Sequence, residues 1–182
     1  MTYPFFRVEW AMPSPATFTI PPIRRFIETW NTGGEIYDPF CGGSTIANHR
    51  NDIAITGIDS LDWLQEQPDK CADIFLNDPA YTPRQRKEVY KSLGITLHDT
   101  KASYWSKIRD EIVRIIKPSG TVLSFGYGAS HVGKTRGLKI VDGLIVLPCD
   151  EVKGFGIVDG LMVLHGGNHN ATICIAEKVG AP

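Results

Sequence analysis

At 182 residues, with 42% hydrophobic and 21% charged side chains, the chain has the size and polarity of one globular domain. A net charge of -1 and a pI near 6.5 exclude a global basic field that would draw it onto nucleic acid. Four scattered cysteines (Cys41, Cys71, Cys149 and Cys174) form no C-x-x-C pair, which excludes a zinc ribbon and a disulfide scaffold.

Residues 1–20 are Pro-rich and read as irregular. Pro21-Pro22 opens a helix whose apolar positions Ile23, Phe26, Ile27 and Trp30 follow i, i+3, i+4, i+7, and Asn31 with Gly33-Gly34 stops it. Glu35 to Phe40 reads as a short buried strand. Cys41-Gly-Gly-Ser-Thr45 is the turn after it and is expected to open a second helix. Ile53 to Ile58 reads as another strand and Leu61 to Gln67 as a short helix, with a third strand at Ala72 to Asn77. Tyr104 to Lys117 carries Trp105, Ile108, Ile112, Ile115 and Ile116 on one face, so it is the clearest helix. Pro118 and Gly120 end it, and Thr121 to Gly126 is a strand. The last third is strand-like with Gly-rich turns. No apolar run approaches the ~18 residues of a membrane span, and Met1 to Arg7 lacks a secretory pattern, so a cytoplasmic protein is expected.

Strands alternating with helices predict an α/β domain with a mainly parallel sheet, whose ligands sit beyond the carboxyl ends of the strands. Asp38, Asp59 and Asp78 fall at three such ends. Asp38-Pro-Phe-Cys-Gly-Gly-Ser-Thr45 joins an acidic strand end to a small-residue turn where backbone can approach a ligand closely. It lacks the G-x-G-x-x-G of a dinucleotide site and the Lys-Ser/Thr of a P-loop, so it suits a ligand offering amino and hydroxyl donors. Asn77-Asp-Pro-Ala-Tyr81 is the sharper pattern. The Asp78 side chain and the Pro79 carbonyl can accept the two hydrogens of a flat amino group while Tyr81 stacks on it. A plain Asp-Pro turn explains the same residues structurally. Arg84, Arg86, Lys87 and Lys91, against Glu88 alone, form a basic cluster just past this motif, and Lys134, Arg136 and Lys139 form a second. His165 and His169 have no Cys or carboxylate partner nearby, so no metal site is expected.

Together the two motifs resemble the amino-methyltransferases that use S-adenosylmethionine. Asp38 to Thr45 is similar to their cofactor motif D-P-F-x-G-S-G-T, and Asn77 to Tyr81 to their catalytic [DNS]-P-P-[YFW]. Asp78-Pro-Ala-Tyr-Thr-Pro-Arg-Gln85 and His165-Gly-Gly-Asn-His-Asn170 further resemble the small phage-type DNA adenine methyltransferases, over roughly residues 12–178. The resemblance implies a compact Rossmann-like class I methyltransferase sheet, mostly parallel with an antiparallel C-terminal strand, in one domain over 1–182. Residues 1–22 would be its N-terminal cofactor-contacting segment.

The resemblance also implies roles. Asp38, Pro39, Phe40, Gly42 and Gly43 would face the methionine end of S-adenosylmethionine, with Thr17 and Phe18 packed on it. Asp59 would take its ribose hydroxyls or adenine amino group, unless Asp62 shares that task. Asp78, Pro79 and Tyr81 would hold a flipped-out adenine at the catalytic site, Asp78 also bordering the cofactor, and Arg84, Arg86 and Lys87 would bind flanking phosphates. The expected activity is methyl transfer to adenine N6 in DNA, in the host cytoplasm if phage-encoded. RNA or a protein glutamine is the alternative acceptor, and a weak cofactor- or nucleic-acid-binding module is the alternative class. The short spacing of the three aspartates implies one βα unit fewer than in larger members, and Ala80 replaces the usual second proline. Specificity is expected to be short, or to come from a partner subunit.

The C-terminal third carries a tandem repeat. Gly137 to Leu147 is nearly restated as Gly154 to Leu164, with eight of eleven positions identical within the 137–164 span. The first copy is expected to be an inserted strand at a sheet edge, paired with or beside the second.

Overall fold

The computed structural model describes residues 6–79, 83–95, 102–126, 131–147, 155–158, 161–164 and 172–180. In chain order these form β1 (Phe6–Trp10), α1 (Pro21–Trp30), β2 (Ile36–Asp38), β3 (His49–Arg50), α2 (Ile53–Thr56) and α3 (Ser60–Gln65). There follow β4 (Ala72–Asn77), α4 (Pro83–Ser92), α5 (Ala102–Ile115), β5 (Ile116–Gly126), β6 (Leu138–Leu147), β7 (Phe155–Val158), β8 (Leu161–Leu164) and β9 (Thr172–Val179).

Seven strands make one sheet in the order β1-β6-β9-β5-β4-β2-β3. β3, β2, β4 and β5 are parallel, as are β1 and β6, and β9 runs antiparallel between β5 and β6. The expected mostly parallel α/β sheet with an antiparallel C-terminal strand is therefore present. Its strands read as continuous apolar runs because both faces are covered. On one face Ile36, Ile74, Leu76, Leu123 and Phe125 pack with Ile23, Phe26 and Ile27 of α1. On the other, Tyr37, Phe75 and Val122 pack with Leu61 and Leu64 of α3 and Ile108, Ile112 and Ile115 of α5. The alternation of Ile36 with Tyr37 and of Ile74 with Phe75 is the two-residue period of a strand. Among the described residues no helix is long and apolar enough to cross a membrane.

Three local expectations are corrected. The N-terminal segment is not wholly irregular: Phe6–Trp10 adds a parallel edge strand to β6, and Arg7 Nη2 donates to Asp142 Oδ2 at 3.0 Å. No helix follows Cys41–Thr45. The chain runs instead into β3, which pairs with Tyr37 and Asp38, leaving only two residues of strand beyond β2. The apolar run Ile53–Ile58 is not a strand. Asp52 caps the Ala54 amide at 2.8 Å, and Gly57, at φ 72, closes a single helical turn in the left-handed region.

The repeat also falls out differently. Its first copy is β6, interior to the sheet between β1 and β9, with Leu144 to Leu147 buried. Its second copy is an antiparallel pair, β7 and β8, with Val158 opposite Leu161 in a separate two-stranded sheet. Asp142-Gly143 continues a strand next to a register shift, whereas Asp159-Gly160 stands between two strands. The residues of the His165-Gly-Gly-Asn-His-Asn170 motif lie outside the described residues.

Candidate active site

Asp38 is the last residue of β2, and its side chain is fully buried. Oδ1 accepts the Phe40 amide at 2.9 Å, while Oδ2 has no hydrogen-bond partner among the described residues. Burial pushes the carboxyl up, the Phe40 amide pulls it back, and the charges of Asp78 and Asp52 add to the rise, to about 7. An unmet buried acceptor costs about 1–3 kcal/mol, so it marks a place where a ligand donor belongs.

The turn after Asp38 is held from both sides. The Asn51 amide donates to the Asp38 carbonyl at 2.9 Å, and the Cys41 amide to the Asn51 carbonyl at 3.0 Å. The buried Ser60 hydroxyl donates to the Pro39 carbonyl at 2.8 Å. Phe40 is partly exposed, its ring tilted against Trp105 at 6.3 Å. Gly42 and Gly43 are exposed with φ of 53 and 83, and a Cβ would meet little in either place. Their glycines answer to backbone conformation.

Asp78 and Pro79 leave the end of β4, the strand beside β2. Asn77 is buried, and its Nδ2 donates to Ser124 Oγ at 3.2 Å, which ties this end to β5. Burial and then the Asp78 charge push the thiol of Cys174, on β9, up. Cys174 pairs across with Phe125, and Phe18 packs edge-on against Phe125 at 5.0 Å. Thr17, partly exposed, and buried Phe18 form a single 3-10 turn before α1. Asp38, Asp78 and Phe18 thus share the carboxyl edge of the sheet. Ala80 and Tyr81 lie outside the described residues.

Two of the expected site residues, Asp59 and Arg86, are engaged with each other. Asp59 is not a free strand-end acceptor. Its Oδ1 takes the Leu61 amide at 2.8 Å and the Tyr104 hydroxyl at 2.9 Å, and its Oδ2 takes Arg86 Nη2 at 3.1 Å and the Tyr90 hydroxyl. A carboxylate has about four lone-pair sites, and all are used. Burial pushes Asp59 up, but the bonds from Tyr90, Leu61, Tyr104 and Arg86 outweigh it and hold it below the usual carboxylate range. Arg86, expected at the flanking phosphates, is instead buried in the same cluster. It is 8% exposed, its guanidinium 3.4 Å from the Tyr104 ring centre, while Arg84 and Lys87 stand in solvent on the same helix. Asp62 is exposed on α3. Arg136 of the second basic group bonds Asp110 and Ser106 of α5.

The strand end expected at Asp59 is occupied by Asp52, just past β3 and close enough to raise the Asp38 carboxyl. Its signal in the sequence was the polar pair Asn51-Asp52 ahead of a run that reads as a strand. Among the described residues no three His, Cys, Asp or Glu are grouped to hold a metal ion.

No family model matches the chain, and no curated protein matches it. Among solved structures it is similar to a candidate DNA modification methylase from Thermus thermophilus, in a selenomethionine form (9% identity, TM-score 0.40) and a second form (11%, 0.38). Each match covers 82% of this chain and 54% or 55% of the other, so the chain spans about half their length. The likeness is distant. Substrate and residue roles rest on the site itself.

Proposed function

We propose that this protein transfers a methyl group from S-adenosylmethionine to an exocyclic amino group, adenine N6 in DNA. The observation that carries the reading is the buried, unpaired Asp38 oxygen at the strand end next to Asp78-Pro79. Asp38 fits the amino group of the cofactor's methionine end: a buried acceptor lacking a donor meets a ligand rich in donors. Asp52, at the next strand end, takes over the ribose hydroxyls assigned by resemblance to Asp59. Phe18 closes the edge from the N-terminal side.

S-adenosylmethionine, when bound, supplies an electrophilic methyl group on its sulfonium. The residues supply the nucleophile's geometry. An adenine amine is poorly nucleophilic because its lone pair is delocalised into the ring. The Asp78 carboxylate and the Pro79 carbonyl each accept one of its hydrogens, which localises that lone pair toward the methyl group. This is positioning and electrostatics rather than prior deprotonation: the N–C bond would form as the methyl group's bond to sulfur breaks, and the methylated amine would then release one proton through its hydrogen bond to the Asp78 carboxylate. In duplex DNA the base has to leave the stack to reach this loop, where Tyr81 is the residue to stack on it. Exposed Arg84 and Lys87 then meet the flanking phosphates.

The test is incubation of the protein with methyl-labelled cofactor and DNA, RNA or protein, followed by digestion to single units. Label in N6-methyladenine from DNA is the expected result. Label confined to RNA or to glutamine would move the substrate, and no label anywhere would overturn the reading.

A further inference from the structure

Helix α4 starts four residues after Pro79, so its placement and that of the Asp78-Pro79 acceptors are linked through a very short stretch of chain. Four Cα steps of at most about 3.6 Å each keep the start of α4 within about 14 Å of Pro79. Its attachment to the rest of the molecule is unusual. Among its described side chains only Arg86 and Tyr90 are buried, one helical turn apart, while Val89 is 42% exposed and Arg84, Lys87, Glu88, Lys91 and Ser92 face solvent. Both buried side chains end on the same carboxylate, Asp59, which Tyr104 of α5 also meets. The Arg86 guanidinium lies over the Tyr104 ring, 3.4 Å from its centre, and over the Tyr90 ring, 4.9 Å from its centre. Asp59 is also the N-cap of α3, and the next residue, Ser60, holds the Pro39 carbonyl. One polar cluster therefore joins α4, beside the acceptor loop, to the turn that follows Asp38.

We infer that Arg86 is a positioning residue for the methyl-acceptor site, setting Asp78 and Pro79 by fastening α4 to Asp59 and Tyr104. The inference rests on the methyltransferase reading. A helix held by an apolar stripe tolerates small slides, whereas a planar guanidinium bonded at one edge and stacked on a ring has one geometry. Misplacement of a reacting group by an ångström costs about 100-fold in rate, which is the scale expected when α4 loosens.

The test is Arg86→Met, which keeps an unbranched apolar stem and removes the bonds and the charge. If the Asp59 charge left behind prevents folding, Arg86→Met with Asp59→Asn removes that charge and keeps an oxygen for the Leu61 amide. Three quantities are read: S-adenosylmethionine affinity by calorimetry, single-turnover methyl transfer to DNA at saturating cofactor, and amide hydrogen exchange. The expected result is cofactor affinity within about threefold of the parent, transfer slowed about 100-fold, and exchange in α4 faster by about tenfold with the sheet unchanged. Affinity and rate falling together with faster exchange in the sheet would make Arg86 merely structural and overturn the inference. Unchanged exchange in α4, or an unchanged rate, would overturn it as well. A parent protein that transfers no methyl group overturns the methyltransferase reading and the site Arg86 serves; an active parent matched by the variant overturns the role of Arg86 alone.

Discussion

The Phe40 amide donates to one oxygen of Asp38 at 2.9 Å, and the other oxygen is buried without a partner among the described residues. The folded protein keeps its Asp38 proton up to about 7, against an ordinary value of 3.8, so folding takes up a proton between those limits. The stability from this uptake is fully present below the ordinary value and lost as pH rises through about 7, by roughly 4 kcal/mol in all. Asp38→Asn never ionises. Thermal unfolding is expected to show the variant more stable than the parent at pH 8, with the gap narrowing toward pH 5. A gap that does not change with pH would refute the buried carboxylate account.

Asp38 and Asp78 are expected to separate by function. Asp38→Ala weakens S-adenosylmethionine binding, because it removes the acceptor for the cofactor's amino group. Asp78→Ala abolishes methyl transfer and leaves cofactor affinity within about threefold, since its carboxylate serves the target amine. Calorimetry and a methyl-transfer assay on both variants decide this. Full turnover by Asp78→Ala on every acceptor tried would remove that residue from the site.

Arg84 and Lys87 are exposed on α4, Arg84 paired with Glu88 at 2.8 Å across one helical turn. Such a surface pair is worth little and yields readily to a phosphate. Arg84→Ala with Lys87→Ala should flatten the salt dependence of duplex DNA binding by one to two phosphate contacts, roughly 0.9 log unit of slope each. An unchanged slope in a titration from low to high salt would return both residues to a solvated surface.

Deleting Gly137 to Lys153 removes β6 from between β1 and β9 and is expected to abolish cooperative unfolding. Deleting Gly154 to Leu164, the copy in the separate two-stranded sheet, is expected to preserve a cooperative transition. Thermal scans of both deletions check this. A cooperative transition in the first deletion would mean that the second copy had taken the place of β6.

Local signals were sufficient for the elements that carry them in full. The i, i+3, i+4, i+7 stripe from Ile23 to Trp30, the apolar run from Ala72 to Asn77 and the stripe through Ile108 and Ile112 specify α1, β4 and α5 by periodicity and turn residues alone. The placement of Asp38 and Asp78 at strand ends follows from the same signals, whereas the pairing of β2 with β4 that makes those ends neighbours belongs to the sheet order. Helix α4 had no such signal, because the side chains it buries are an arginine and a tyrosine rather than an apolar stripe. The two repeat copies are nearly the same sequence, so nothing local separates one long strand from two short paired ones; a strand that finds partners on both sides stays extended.

Chain order and composition determined an α/β sheet and the edge where its acidic residues gather, since hydrophobic period and turn chemistry act over a few neighbouring residues. Which aspartate stays open to a ligand was decided only in three dimensions. Asp59 and Asp38 both follow short apolar runs, yet donors 27, 31 and 45 residues further along the chain close on Asp59, while one oxygen of Asp38 is left unmet among the described residues. A carboxylate's function depends on the donors that reach it, and those are brought by packing rather than by sequence neighbours.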